Sequence, residues 1–529
     1  MTAFEGKADV LIVGGGLGGL SAALSISERD EYSVAIASKS ALGYGGSTYY
    51  SQGAFRCPIG GYSVEDHVRD TIEGGRRINR PFLVEMMVRE SRSALPALLE
   101  GLGIEPRASK GGLRIEGGDP LVPSREFAAQ LGKSVKAARG VRALEGACLL
   151  DLARCSDGTY LAVHEYKGRI LAINAKAVVL ATGGAANAYI RSDNPVQLAC
   201  DGHGIALKLG LPLVDMEFVQ FFPLGVAEVS KPSLMIPFAK GRILNGLGED
   251  LMAKHGLGDL GRALRVKRDL LSRYIMLEVA GGRGVDGALL VYPEPSDDHL
   301  SRSAFELMRR LGLGPPVKVL PTAHFTMGGV EVDEDLRTGL PGLYAIGELM
   351  GGVHGANRLG GNALTACAAL SRLVAADVVE YLGREFGDGA GVGGCGEPGL
   401  MGDLMAGYRP RDGEVDAREL RFRVRRAMWD QAGVIRTEEG LRGAIDEASG
   451  ALELLGRARV RGPKDLVALR EAENTALASL AIAHSALARR ESRGSHFRLD
   501  YPEEGPDWVK VVRVRYRDGE MKCEIISIN

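Results

Sequence analysis

At 529 residues, with 45% hydrophobic and 25% charged residues, the chain is too long for one compact core and implies two or three domains. A formal net charge of −2 argues against nucleic acid or an anionic membrane surface as the principal partner. The 73 glycines fall in short clusters without a repeat, which points to tight turns and close backbone approach to a ligand.

In chain order, the opening MTAFEGKADV lacks the basic-then-apolar order of a secretion signal. Val10 to Val13 is a short apolar run that reads as a buried parallel strand. Gly14, Gly16 and Gly19 follow in G-x-G-x-x-G spacing, and Leu20 to Ile26 is patterned as a helix. The first glycine allows the turn, the second lets backbone amides approach a pyrophosphate, and the third lets helix pack on strand. The helix start then offers free N–H groups and a positive dipole end to phosphates. A second strand, Val34 to Ala37, ends in Ser38-Lys39 where an acid would usually hold the ribose. That leaves two readings: no dinucleotide site, or a subfamily in which serine takes the ribose contact. Ala177 to Gly184 is another strand running into a glycine turn, and Leu343 to Ile346 a further strand ending in Gly347-Glu348. Three such parts, the last far downstream, describe a chain that leaves an FAD domain, makes an insertion and returns to complete it. Gly387 to Gly399 reads as a flexible linker. Val415 to Arg490 has the apolar spacing of a solvent-facing helical bundle, with Trp429 as core. Trp508 to Ile528 alternates like a hairpin about Asp518-Gly519, suited to covering a sheet edge or a partner. No stretch of about 18 uninterrupted apolar residues predicts a membrane span. The seven cysteines (57, 148, 155, 200, 367, 395 and 523) form no C-x-x-C pair. They read as neither a disulfide framework nor a metal or iron–sulfur set, in keeping with a reduced, cytoplasmic setting.

Four segments carry a resemblance: SKSALGYGGSTYYSQGAF (Ser38 to Phe55), KRDLLSRYIMLEVAGGRGVDG (Lys267 to Gly287), PTAHFTMGGV (Pro321 to Val330) and GELMGGVHGANRLGGNAL (Gly347 to Leu364). Together they resemble the flavoprotein family of succinate dehydrogenase, fumarate reductase and L-aspartate oxidase. Met428 to Leu441 and Glu491 to Glu503 are similar to that family's C-terminal helical domain. The resemblance implies an α/β fold, with an FAD-binding Rossmann-like domain, an inserted α+β capping domain and a C-terminal helical domain. The expected boundaries are 1–222 and 320–383 for the FAD domain and 223–319 for the cap. A linker at 384–402, helices at 403–505 and a hairpin-like tail at 506–529 complete the chain. Ser38-Lys39 is typical of the family, which favours the second reading above.

The resemblance also assigns roles. Gly14, Gly15, Gly16, Gly18 and Gly19 would hold the FAD pyrophosphate. Ser38, Lys39, Gly46, Ser47, Thr48, Gln52 and Gly53 would line the path from adenosine to flavin. Thr182, Gly183, Asp201, Gly347, Glu348, Asn362, Ala363 and Leu364 would complete the cofactor contacts. Some members attach FAD to a histidine in the early glycine-rich loop. Ser47 occupies that place here, so non-covalent FAD is expected, and His67, the nearest histidine, reads as a surface helix residue. Arg358 would pair a substrate carboxylate through two parallel donors, sharing it with His324. His354 would be a neighbour or a structural residue. Arg268 would exchange a proton with the substrate on the face opposite the flavin, while hydride passes at flavin N5; its bland reading is an ion pair with Asp269. No metal is implied.

One departure stands out. Where dicarboxylate enzymes of the family place a histidine for the second carboxylate, this chain has Phe222, within Gln220-Phe221-Phe222-Pro223-Leu224. Either Lys240 or Arg242 supplies a second anchor, or the far end of the substrate is not a carboxylate, because an unpaired carboxylate against Phe222 would be costly. The stretch from Arg114 to Phe127 is also unlike those enzymes and is expected to border the same pocket. Three functions follow. One is a succinate/fumarate-type flavoprotein working with a separate iron–sulfur subunit, peripheral on a membrane through that partner. The second is a stand-alone enzyme like L-aspartate oxidase, acting on a CH–NH bond. The third is a non-catalytic flavin-binding assembly subunit.

Overall fold

The strand Ala3–Val13 lies at the centre of a seven-stranded sheet. It pairs in parallel with Val34–Ser38 on one side and with Arg169–Leu180 on the other. Val10, Leu11 and Ile12 are fully buried, as an apolar run covered on both faces requires. Val141–Glu145 extends the sheet beyond Val34–Ser38. The first half of Arg169–Leu180 pairs antiparallel with Tyr160–Tyr166, which in turn pairs with Ala147–Arg154. Its last residues, Val178 to Leu180, pair instead with Leu343–Ala345. The chain therefore departs from this strand and returns to its free end more than 160 residues later. This computed structural model describes residues 3–115, 123–230, 233–387, 404 and 410–528; the expected linker falls almost entirely outside them.

Between departure and return lies a five-stranded sheet in the order Ser233–Met235, Val219–Ser230, Val317–Thr326, Leu289–Pro293, Gly241–Leu244. Two of its strands, Val219–Ser230 and Val317–Thr326, run unbroken across positions 222/223 and 319/320, so the units are joined by continuous strands. Its apolar face packs Phe222, Leu224, Ile236, Phe238, Leu271 and Ile275 into one cluster. The helix Arg268–Ala280 is tied to this sheet by Ser272, whose hydroxyl donates to the Phe221 carbonyl at 3.0 Å.

Three helices follow: Ala417–Ala432, Glu438–Leu455 and Pro463–Ala488. The last is not solvent-facing, because every residue from Asn474 to Ala483 is buried. Small alanines let neighbours approach it from all sides, and it joins the bundle to the seven-stranded sheet in a single apolar cluster. Trp429 is partly buried against that cluster. The helix Asn362–Phe386 is long and apolar enough to cross a membrane, but 61% of its most apolar window is packed inside the chain; it is a core helix here. Cys155 takes part in a disulfide, unlike the expected all-reduced set, whereas Cys57, Cys148, Cys200, Cys367 and Cys523 are free thiols.

The hairpin Lys510–Arg517 and Glu520–Ser527 turns at Asp518 and Gly519, both at positive φ, as a two-residue hairpin loop requires. It covers the edge of Leu213–Val214. Beneath it lies a buried ionic group. Arg489 Nε donates to Glu217 Oε1 at 2.6 Å, and the Asp215 carboxyl, fully buried, has no hydrogen-bond partner. Burial, reinforced by the Glu217 charge, raises the Asp215 pKa well above the carboxylate range. Asp215 therefore takes up a proton on folding. Its contribution is fully present below the ordinary carboxyl pKa of about 3.9 and is lost as pH rises through the folded value. Asp215→Asn, tolerated at the residue's φ of 60°, should flatten the loss of stability as pH rises above about 3.9 in denaturant titrations. An unchanged slope would show that Asp215 folds ionised.

Candidate active site

The carboxyl ends of the central strands open onto an elongated cleft with about 900 Å³ of empty space, part of it open to solvent. Gly14, at φ +125°, abuts Ala181 so closely that a Cβ would lie 2.1 Å from its carbonyl oxygen. A Cβ on Gly16, in contrast, would meet only Thr48 Oγ1, at 3.6 Å. The first glycine serves the protein's own packing, and the second leaves space for a ligand to touch backbone. Thr48 accepts a hydrogen bond from Leu17 N at 3.0 Å, which pins the glycine-rich loop to the helix start.

Gly14, Gly15, Gly16, Gly18, Ser38, Lys39, Gly46, Ser47, Thr48, Thr182, Gly183, Asp201, Gly347 and Glu348 all line this cleft. The hydroxyls of Ser47 and Thr182 are buried without a protein partner, which suits a ligand rich in hydrogen-bonding groups. Gly19 lies one step behind, where a Cβ would strike Gly14 O at 2.1 Å. Gln52, Gly53, Asn362, Ala363 and Leu364 are not on the cleft wall. The Asn362 side chain is fully engaged elsewhere, with His67 Nε2 at 2.9 Å and Thr71 Oγ1 at 2.9 Å. His67 is accordingly no surface residue: it is completely buried, because its helix turns positions 67 and 71 toward the start of Asn362–Phe386. Burial lowers the His67 pKa to about 4, so this ring is neutral and structural.

At the far end of the cleft, Lys39 Nζ contacts Asp201 Oδ2 at 2.7 Å and Glu471 Oε1 at 2.8 Å. Burial alone would lower this ammonium's pKa; Asp201, foremost, and Glu471 outweigh it and hold it raised. Arg421 Nη1 completes the chain on Glu471 at 2.9 Å. The C-terminal helices thus latch the cleft wall through Glu471, a residue with no signal of its own in the sequence.

The substrate-side residues converge through a strand irregularity. Gln220 pairs with Phe325 and Phe221 with Ala323, which leaves His324 as the extra residue of a β-bulge. A bulge re-aims side chains, and here it lets His324 and Phe325 share the face of Gln220 and Phe222. Phe222 lies 5.8 Å from the His324 ring, and the Arg268 guanidinium 5.6 Å from the Phe222 ring. The Arg358 guanidinium stacks 4.3 Å above Phe325, whose ring is 5.2 Å from His354. Arg358 Nη2 donates to Gln220 Oε1 at 3.1 Å, while Gln220 Nε2 donates back to the Arg358 carbonyl and to Asn357 Oδ1. His324 Nδ1 meets Asp193 Oδ2 at 2.9 Å. Arg268 Nε donates to the Leu264 carbonyl at 2.5 Å, and Asp269 faces Arg76 at 4.0 Å, so no Arg268–Asp269 pair forms.

Burial lowers Arg268 to about 10 and Arg358 to about 9, the latter pushed further by the charge of Arg268. His354, lowered to about 3 by burial and then by Arg358, is neutral. Burial raises Glu348 to about 7, against the pull of the Thr326 N–H at 3.0 Å and of Arg358. Lys240 and Arg242 are elsewhere. They sit at the edge strand Gly241–Leu244, three strands from Val219–Ser230, or about 14 Å at normal strand spacing. Neither belongs to a strand that adjoins Val219–Ser230. Of the Arg114–Phe127 stretch, residues 116–122 lie outside the described ones.

A βαβ glycine turn, a long cleft and a returning third segment define a flavin-type dinucleotide-binding oxidoreductase. Comparisons with known proteins agree. A family described as an FAD binding domain matches residues 9–364, and one described as the fumarate reductase flavoprotein C-terminus matches 421–528. A CoM/CoB fumarate reductase polypeptide of Methanothermobacter marburgensis is 31% identical, covering 96% of each chain. The L-aspartate oxidase of Caulobacter vibrioides is also 31% identical, covering 96% of this chain and 95% of that one. A solved quinol fumarate reductase chain of E. coli superposes with a TM-score of 0.87 at 27% identity, covering 100% of this chain and 97% of that one. The chain belongs to the FAD-binding flavoprotein family of succinate dehydrogenase, fumarate reductase and L-aspartate oxidase, and is an FAD-dependent oxidoreductase.

Proposed function

We propose that the chain moves a hydride between FAD and a carbon–carbon bond beside a carboxylate, with Arg358, Arg268 and His324 holding the substrate. One observation carries the reading. Two guanidiniums sit on one cluster of rings, Arg268 over Phe222 and Arg358 over Phe325, and among the described residues neither forms an ion pair within 4.0 Å. Two desolvated cations that share only the non-contacting charge of Asp193 are costly, and a substrate carboxylate reduces that cost while fixing its own orientation. Bound FAD supplies the two-electron hydride chemistry. Arg268 would exchange the accompanying proton with the neighbouring carbon. Burial to about 10 brings it nearer to proton exchange than an arginine in water. His354, neutral and with Nδ1 unpartnered, supports the wall behind Phe325.

Electrons would pass to or from a separate iron–sulfur subunit, as the likeness to quinol fumarate reductase supports. The alternative is a stand-alone enzyme, supported by the identity to L-aspartate oxidases and by Ser47 in the glycine-rich loop. Anaerobic titration with succinate, L-aspartate and butyrate, followed by readmission of oxygen, separates these. Bleaching by a carboxylate with slow reoxidation in air favours the first, and rapid reoxidation with peroxide favours the second. If no carboxylate changes the FAD spectrum, the reading is wrong. In the same preparation, acid should release all FAD, because Ser47 offers no imidazole for covalent attachment.

A further inference from the structure

Asp193 belongs to no recognised motif, yet it holds the ring of His324, beside Phe222 and Arg268. Its carboxylate has 6% exposure and accepts from His324 Nδ1 at 2.9 Å. Asn194 Nδ2 bridges it to the same strand, donating to Asp193 Oδ1 at 3.1 Å and to the His324 carbonyl at 2.8 Å. Asp193 acts electrostatically on Arg268, Arg358 and Glu348 together. It is thus a built-in counter-charge for a pocket that otherwise holds two unpaired guanidiniums. Beyond Phe222 the packing is apolar, with Leu224, Ile236 and Phe238 in the same cluster, and the basic residues Lys240 and Arg242 lie three strands away.

We propose that this site takes a monocarboxylate, such as a 2-enoate or its saturated counterpart with an uncharged far end, and that Asp193 is the specificity-determining residue that rejects a second carboxylate. The inference rests on the carboxylate-gripping role given above to Arg358 and Arg268. Two guanidiniums set against the single buried carboxylate of Asp193 leave positive charge to be matched. One substrate carboxylate matches it. A second would lie against the apolar side chains beyond Phe222, with Arg268 already matched by the first and the field of Asp193 against it, and such an unpaired buried charge is strongly disfavoured. Through the same hydrogen bond Asp193 holds the His324 ring, so that Nε2 is the nitrogen left for the ligand.

Binding of crotonate and of fumarate to the oxidised holoenzyme tests this without turnover, read by the shift of the FAD absorbance and by melting temperature. Crotonate should bind at least tenfold more tightly than fumarate to the wild type. Asp193→Asn keeps an oxygen acceptor for His324 and removes only the charge, so it should shift the crotonate-to-fumarate ratio at least tenfold toward fumarate. A loss of general packing would weaken both ligands alike and leave that ratio in place. If fumarate binds the wild type as tightly as crotonate, or the ratio is the same in Asp193→Asn, the role of Asp193 is overturned while the carboxylate site stands. If neither acid binds, the carboxylate site itself is wrong and this inference falls with it.

Discussion

Arg268→Ala should keep its FAD and lose turnover by about 10²- to 10⁴-fold, the usual range for removing a positioned proton-transfer group. The expectation follows from how the side chain is held. Nε is anchored on the Leu264 carbonyl, the guanidinium lies over Phe222, and Asp193 acts on it only at a distance, without an ion pair. A residue placed for an ion pair would look different, and Asp269, the obvious partner, is turned toward Arg76. Arg268 is not among the residues lining the cleft of the glycine turn, Ser47 and Thr182, so cofactor content should not change. Arg268→Lys restores a cation but not the planar donor set and should recover only a small part of the rate. Stopped-flow reduction by a substrate identified in the titration measures the step directly. Wild-type rates in Arg268→Ala would remove this residue from the chemistry.

The parts of this protein legible in sequence are those governed by local rules. The glycine turn after Val13, the strand at Leu343 and the Asp518-Gly519 hairpin each carry their signal within a few residues, because backbone conformation there is set by neighbours in the chain. Illegible parts depend on which distant segments meet. The family pattern gives Asn362 to the cofactor, yet its amide closes on His67 and Thr71, nearly 300 residues earlier. Glu471 reaches Lys39 from the C-terminal helices. The His324 bulge has no composition cue, since it arises from a register mismatch between two strands about 100 residues apart. Lys240 and Arg242 looked adequate as anchors only because strand order within the inserted sheet cannot be read from residue spacing. Asp193 was invisible for the same reason: nothing around it is periodic, and its meaning comes from His324 and the two arginines.

Arg489→Ala should destabilise the folded chain by about 3–5 kcal/mol, the usual cost of removing one member of a buried ion pair. Arg489 is completely buried, as is its partner Glu217. Its guanidinium contacts Glu217 at 2.6 Å and Glu491 at 2.9 Å, and donates to the carbonyls of Trp508 and Lys510 at 3.0 and 2.7 Å. It also packs 4.8 Å from the Phe218 ring. One side chain therefore neutralises two carboxylates and fastens the start of the C-terminal hairpin. Truncation removes the cation that opposes the upward push of burial on the Glu217 carboxyl, in an apolar interior next to Asp215, whose own ionisation is already suppressed. The hairpin should then loosen before the rest unfolds, giving early proteolytic cleavage between Trp508 and Val512 with the FAD domain still intact. Adding Glu217→Gln removes the stranded carboxyl and should recover part of the loss, a coupling measurable in a double-mutant cycle. Strict additivity of the two changes would mean that the loss comes from packing around Phe218 rather than from the carboxyl left behind.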